Sequence, residues 1–149
     1  MTIIEQIQSQ LREAMKAGQR ERLDALRLLY SALQRAEKDR PAGEFTDQDA
    51  LAVLRRERKQ RVEAAEAYRA AGQEHRAAGE EADLPVIDAF LPAAMGDAEL
   101  EALVDAAIAE TGAATVKDMG RVMGLVTQRA QGRADGRAAS ALVRSRLSA

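Results

Sequence analysis

Two cations and two glycines share one short stretch of this chain, Lys117-Asp118-Met119-Gly120-Arg121-Val122-Met123-Gly124. A second glycine-flanked segment, Gly132-Arg133-Ala134-Asp135-Gly136-Arg137, follows it. The surrounding apolar spacing reads as an amphipathic helix, and a glycine inside a helix costs about 0.5–1 kcal/mol relative to alanine. Close approach of another backbone, or of a ligand, to a face without side chains would offset that cost. Lys117, Arg121 and Gly124 stand at i, i+4 and i+7, so on an α-helix they share a face. A bare backbone flanked by cations is a seat for an anion such as a nucleic-acid phosphate. The competing reading makes Gly120 and Gly124 a packing notch inside a small helical bundle.

Other residues invite chemistry less strongly. Asp118 stands three residues after Thr115, which marks it as a helix-capping partner before it marks it as an acid. Asp135 precedes Gly136 and can cap a helix or hold Arg133 or Arg137 in place. The densest basic run, from Arg55 to Arg61, wraps around a helix instead of forming one stripe, so it reads as a solvated face paired with Glu57 and Glu63. His75 is the one histidine and the chain has no cysteine, so no His/Cys metal set or histidine-based triad is expected. Glu80, Glu81 and Asp83 lack the glycine-centred loop of a calcium site. Neither a P-loop nor a dinucleotide fingerprint is present. Two Phe and two Tyr are too few for a base-stacking platform. No metal or other cofactor is expected.

The elements that must position these residues all read as helix. The chain has 149 residues, enough for one domain or two small ones. Hydrophobic residues make up 46% and aromatics only 3%, with much of the apolar content alanine, which favours closely packed helices over a sandwich. No apolar run reaches the roughly 20 residues of a membrane span. The opening Met1-Thr2-Ile3-Ile4-Glu5 does not read as a signal peptide. A cytoplasmic location is the expectation. The net charge of −2 hides an asymmetry. From Gly112 onward there are seven Lys/Arg against two acids, and the preceding residues carry 15 against 22. That basic end suggests a local anionic partner, with the plain alternative that solvated helices carry charge.

Thr2 and Glu5 form a capping-box pattern ahead of a stripe of Ile4, Ile7, Leu11, Ala14 and Met15, with Gly18 as the stop. A second helix, about 20–39, carries Leu23, Leu26, Leu29, Tyr30 and Leu33. Thr46 opens a third to about Ala71, with a thin stripe of Leu51, Leu54, Val62, Ala65 and Tyr68. Residues 72–83 are polar, and a short helix with Pro85 in its first turn covers about 84–90. Leu91-Pro92 is the expected boundary, dividing a helical subdomain, 1–91, from a three-helix subdomain, 92–149. In the latter, Asp97 caps a helix with Leu100, Leu103, Val104, Ala107 and Ile108. Thr115 caps the next, striped by Val116, Met119, Met123, Val126 and Ala130 and closed by Gly132. The last buries Leu142, Val143 and Leu147.

KDMGRVMG followed by GRADGR, preceded by Phe90-Leu91-Pro92, resembles the YqeY family. That domain also forms the C-terminal tail of GatB, the tRNA-activating component of the glutamine-dependent tRNA amidotransferases. The matching signature is Lys117, Asp118, Met119, Gly120, Val122, Met123, Gly124, Gly132, Arg133, Ala134, Asp135 and Gly136, of which Met119, Val122 and Met123 are core positions. The resemblance implies an all-α fold in two parts and a tRNA-binding accessory module without its own catalytic site. Lys117, Arg121, Gly124, Arg129, Arg133 and Arg137 would be its RNA-facing residues. It also implies two rivals: a module that docks on an amidotransferase or aminoacyl-tRNA synthetase complex, and a carbon–nitrogen ligase using glutamine. The segment Gln73-Glu74-His75-Arg76 departs from the Arg-x-Asp-Leu that relatives often carry there. The finding that would hurt an RNA face most is Lys117, Arg121 and Arg133 pointing to different faces, or each tied up in an internal ion pair.

Overall fold

Thr2 begins the first helix by accepting the Glu5 N–H, while the Glu5 carboxylate accepts the Thr2 N–H at 2.7 Å. The computed structural model describes residues 1–148. It divides the chain into two compact units, Met1–Leu91 and Pro92–Ala149. Both are all-α; among the described residues there is no strand. No helix is long and apolar enough to cross a membrane.

The first unit holds α1 (Ile3–Ala17), α2 (Arg20–Lys38), α3 (Asp47–Ala70), α4 (Glu74–Ala82) and α5 (Leu84–Asp88). Gly18, in the left-handed region at φ 68°, closes α1. Thr46 and Asp49 form a capping box at the start of α3. The core gathers Ile3, Ile7, Leu26, Leu29, Leu33, Leu54, Ile87 and Phe90. Met15, expected in the α1 stripe, is 59% exposed, and Ile3 takes the buried place at the start of that helix.

The polar stretch 72–83 folds as α4 despite its thin apolar content. Ala77 is its single buried residue, and exposed ion pairs tie it to the preceding helix. Arg69, near the end of α3, donates to Glu74 at 2.8 and 2.9 Å and to Glu81 at 2.6 Å, closing the α3–α4 hairpin. These bonds raise the Arg69 pKa and lower that of Glu74. Glu74 belongs to the segment that departs from the family pattern, so here that segment serves the hairpin. Its neighbour Arg76 lies over the Tyr68 ring, and His75 is exposed.

The basic run 55–61 is not uniformly solvated. Arg61 is buried, bonded to Glu57 at 3.1 Å and Asp83 at 3.4 Å. Arg58 pairs with Asp88 of α5 at 2.6 Å, and Lys59 lies 3.9 Å from Glu63. The long α3 reaches both shorter helices, so its cations meet their carboxylates there.

The second unit holds α6 (Asp97–Thr111), a 3₁₀ turn (Val116–Asp118), α7 (Met119–Ala130) and α8 (Gly136–Ser148). Leu100, Val104, Val122, Val126, Val143 and Leu147 fill its core, with Met119, Met123 and Leu142 packed around them. Gly96, not Asp97, is the N-cap of α6; Asp97 falls in the first turn, where its charge faces the positive helix end. Val116 is 45% exposed because the 3₁₀ turn rotates it off the α7 stripe. Gln131, not Gly132, is the first residue past α7 in the left-handed region, at φ 49°; Gly132 follows at φ 76°.

Candidate nucleic-acid interface

Burial of Val122, Val126 and Ala130 fixes which side of α7 meets solvent. Gly120, Arg121, Gly124, Thr127 and Gln128 lie on the exposed side. A β-carbon built on Gly120 or Gly124 meets no atom within 4 Å. The glycines are therefore not a packing notch within the described unit, and the first explanation for their cost is removed. Gly120 is the second residue of α7, next to the 3₁₀ turn, so the helix-interior penalty applies in full only to Gly124.

The capping arrangement shapes the approach to this strip. The Asp118 carboxylate accepts the N–H groups of Ala114 at 3.0 Å and Thr115 at 3.3 Å. It also accepts Arg121 at 2.9 Å. The Ala114 N–H, then Arg121, then the Thr115 N–H hold the Asp118 pKa below the usual carboxylate range. A carboxyl kept ionised in this way caps a helix and makes a poor proton donor. Lys117 lies in the 3₁₀ turn, so the α-helical i, i+4, i+7 register with Arg121 and Gly124 does not carry through. It is exposed, and the turn that carries it packs on α8.

The basic end finds most of its counter-charge inside its own unit. Helix α6 carries Asp97, Glu99, Glu101, Asp105 and Glu110 and no basic residue. Arg129 pairs with Glu110, and Arg146 with Asp105 at 3.0 Å. Arg133 grips Glu99 in a fork at 2.9 and 3.0 Å and donates to the Ala93 carbonyl at 2.8 Å. Its own carbonyl accepts the Met95 N–H at 2.8 Å. Arg133 thus brackets the segment before α6 to the α7–α8 loop. Asp135 holds neither Arg133 nor Arg137 by its guanidinium. It accepts the N–H groups of Arg137 and Ala138 at 3.4 Å, capping α8.

Of the six residues expected to face RNA, the structure leaves the side chains of Lys117 and Arg137 exposed and without a partner among the described residues, and Gly124 open to solvent. Arg121 is in an exposed pair with Asp118, and its side chain is 62% accessible. Arg129 and Arg133 are engaged by α6. Sequence reasoning passed over Arg144. It is exposed, unpartnered among the described residues, and seven residues from Arg137, so both lie on one face of α8 about 10 Å apart along the axis. The signal was available as an i, i+7 pair of cations. Arg146 stands on the opposite side, facing Asp105. Among the described residues no group of His, Cys, Asp and Glu is placed to hold a metal ion.

A family model described as Yqey-like protein matches residues 4–147, nearly the whole chain. No curated protein matches it.

Proposed function

The chain belongs to the YqeY-like family, and from that footing we propose that it is a tRNA-binding accessory module whose RNA surface lies on its C-terminal unit. The observation that carries this reading is the solvent-facing strip of Gly120 and Gly124, which nothing within the described unit covers. In sequence Lys117 precedes that strip and Arg121 stands within it, and both are exposed. A helix face without side chains lets a ribose–phosphate backbone approach closely, and folded RNA is recognised largely by such backbone and shape contacts. The exposed Arg121–Asp118 pair is screened by water and leaves Arg121 able to turn to a phosphate. Arg137 and Arg144 extend the available cations along α8. Arg129 and Arg133 serve the fold instead. The module supplies binding and positioning, and the chemistry belongs to a partner enzyme.

Anisotropy of labelled bulk tRNA, titrated with the protein at several salt concentrations, tests this reading. Binding should be saturable and weaken with salt. In Lys117→Ala/Arg137→Ala/Arg144→Ala the log–log salt slope should shrink by about 0.7–0.9 for each lost phosphate contact. An unchanged slope, or no binding at low salt, would overturn it. The second reading, a docking module on an amidotransferase or synthetase complex, draws on the neutralisation of Arg129 and Arg133 by α6. It would take the lead if tRNA fails to bind.

A further inference from the structure

The α7–α8 pair presents a face whose chemistry distinguishes one form of nucleic acid from another. Residues 131–135 join the two helices, which pack on each other as a hairpin. Arg129 of α7 and Arg146 of α8 both point to α6, through Glu110 and Asp105. At about 100° per residue, Thr127 stands roughly 160° around α7 from Arg129, and Arg137 and Arg144 stand roughly 180° and 160° around α8 from Arg146. These three side chains therefore share the side of the hairpin turned away from α6. Arg137 lies at the Gln128 end of α7, and Arg144 lies further towards the 3₁₀ turn, which itself packs on α8. Neither α7 nor α8 contains an acid. The nearest acids in sequence, Asp118 and Asp135, are both spent on helix starts, accepting the N–H groups of Ala114 and Thr115 and of Arg137 and Ala138. Against these two stand Lys117, Arg121, Arg137 and Arg144, all exposed and none held by α6, so positive charge is in excess.

Side-chain chemistry selects the form of the ligand. From residue 92 onward the sequence has no Phe, Tyr, Trp or His, so no aromatic ring is there to stack on an unpaired base. At Gly120 and Gly124 the outer side of α7 has no side chain to reach base edges in the major groove of B-form DNA. The major groove of A-form RNA is too deep and narrow to be read, but its minor groove is wide and shallow and displays ribose 2′-hydroxyls beside the phosphates. Thr127 and Gln128 are exposed on the outer side of α7, and their hydroxyl and amide have no partner among the described residues. Each can donate and accept, as a 2′-hydroxyl can. On the premise that this unit binds RNA, we propose that the α7–α8 face docks on the minor-groove side of a double-stranded A-form stem, with Arg137 and Arg144 on phosphates and Thr127 and Gln128 on ribose 2′-hydroxyls. The phosphate contacts set affinity, and the two polar side chains set the preference for RNA over DNA.

Anisotropy of three end-labelled probes, titrated with the full protein, tests the proposal. They are an RNA duplex of about 16 base pairs, a DNA duplex of the same sequence, and one unstructured RNA strand. The RNA duplex should bind at least about tenfold more tightly than either other probe. Thr127→Val/Gln128→Met should cut the preference for RNA over DNA duplex by about fivefold while leaving the salt slope unchanged. Arg137→Ala/Arg144→Ala should instead shrink the slope on both duplexes, by about 0.7–0.9 for each lost contact. All four residues are exposed, and an unchanged circular dichroism spectrum confirms that the variants are folded. Equal binding of the two duplexes, tighter binding of the single strand, or an RNA preference indifferent to Thr127→Val/Gln128→Met would each overturn the proposal. Bulk tRNA titrated alongside separates its fate from that of the RNA reading. Binding of tRNA but not of the RNA duplex overturns this proposal alone, and binding of neither overturns both.

Discussion

The N-terminal unit has a dense basic run on α3, five of its fifteen Lys and Arg, whereas the C-terminal unit spreads its cations over a turn, two helices and a loop. Both nevertheless sort their cations by the same rule. A cation that faces another element of its own unit is paired: Arg58 with α5, Arg69 with α4, and Arg129, Arg133 and Arg146 with α6 or its flank. Cations on outward faces are either left open, as with Arg56, Lys117, Arg137 and Arg144, or held only by an exposed neighbour three or four residues away, as with Lys59 and Arg121. Local charge density is therefore a poor guide to available charge. The excess of five positive charges from Gly112 onward is real in sequence. Three of its cations are paired by Glu99, Asp105 and Glu110 of α6, just upstream of the window in which the excess was counted.

The sharpest way to test that comparison is to remove the most buried staple. Arg61→Ala would leave Glu57 and Asp83 facing each other without their shared cation. Both carboxylates keep some access to water, so the cost should be about 2–3 kcal/mol, below the roughly 3–5 typical of fully buried pairs. Urea denaturation would show it, and a loss within about 0.5 kcal/mol, the size of an ordinary surface change, would contradict the staple role. Arg133→Ala should cost about 1 kcal/mol, because its fork to Glu99 is half-exposed and adds only modestly to the Ala93 bond. The same variant should leave the salt slope of tRNA binding unchanged, unlike Lys117→Ala. A slope that falls equally in both would erase the distinction between paired and open cations.

The smallest effect is on pH dependence. Asp118 is held ionised in the folded state by the Ala114 N–H, Arg121 and the Thr115 N–H. A carboxylate with a lowered folded pKa contributes stability that is present above its unfolded pKa and is lost as pH falls through the folded value. The melting temperature should therefore drop on acidification below the usual aspartate range of about 4. Asp118→Asn should flatten part of that drop while lowering stability near neutrality. Glu74 and Asp49, lowered by Arg69 and by the Thr46 cap respectively, add to the same acid-side slope.

Much of the fold was legible because capping residues and apolar spacing act locally. Thr2 with Glu5 and Thr46 with Asp49 mark two helix starts, and Leu26, Leu29 and Leu33 mark a buried face without any tertiary information. Helix α4 was harder, since Ala77 is its only buried residue and its support comes from Arg69, at the end of the preceding helix. Val116 was misplaced because a capping pattern does not reveal whether the first turn is α or 3₁₀. At the candidate site the glycines were conspicuous, but whether they faced a neighbour or solvent depended on packing. The same limit applied to Arg129 and Arg133, whose partners are 19 and 34 residues away in sequence.

The central claim is that the open glycine face of α7 is kept for an external backbone although it weakens the helix. Gly124→Leu tests it with two readings on one variant. Leucine is a better helix former, and its β-carbon meets nothing within 4 Å, so the protein should gain about 0.5 kcal/mol or more. Affinity for tRNA should fall by about tenfold, equivalent to about 1.4 kcal/mol, because the side chain blocks close approach. A more stable protein that binds tRNA as tightly as before would contradict the account.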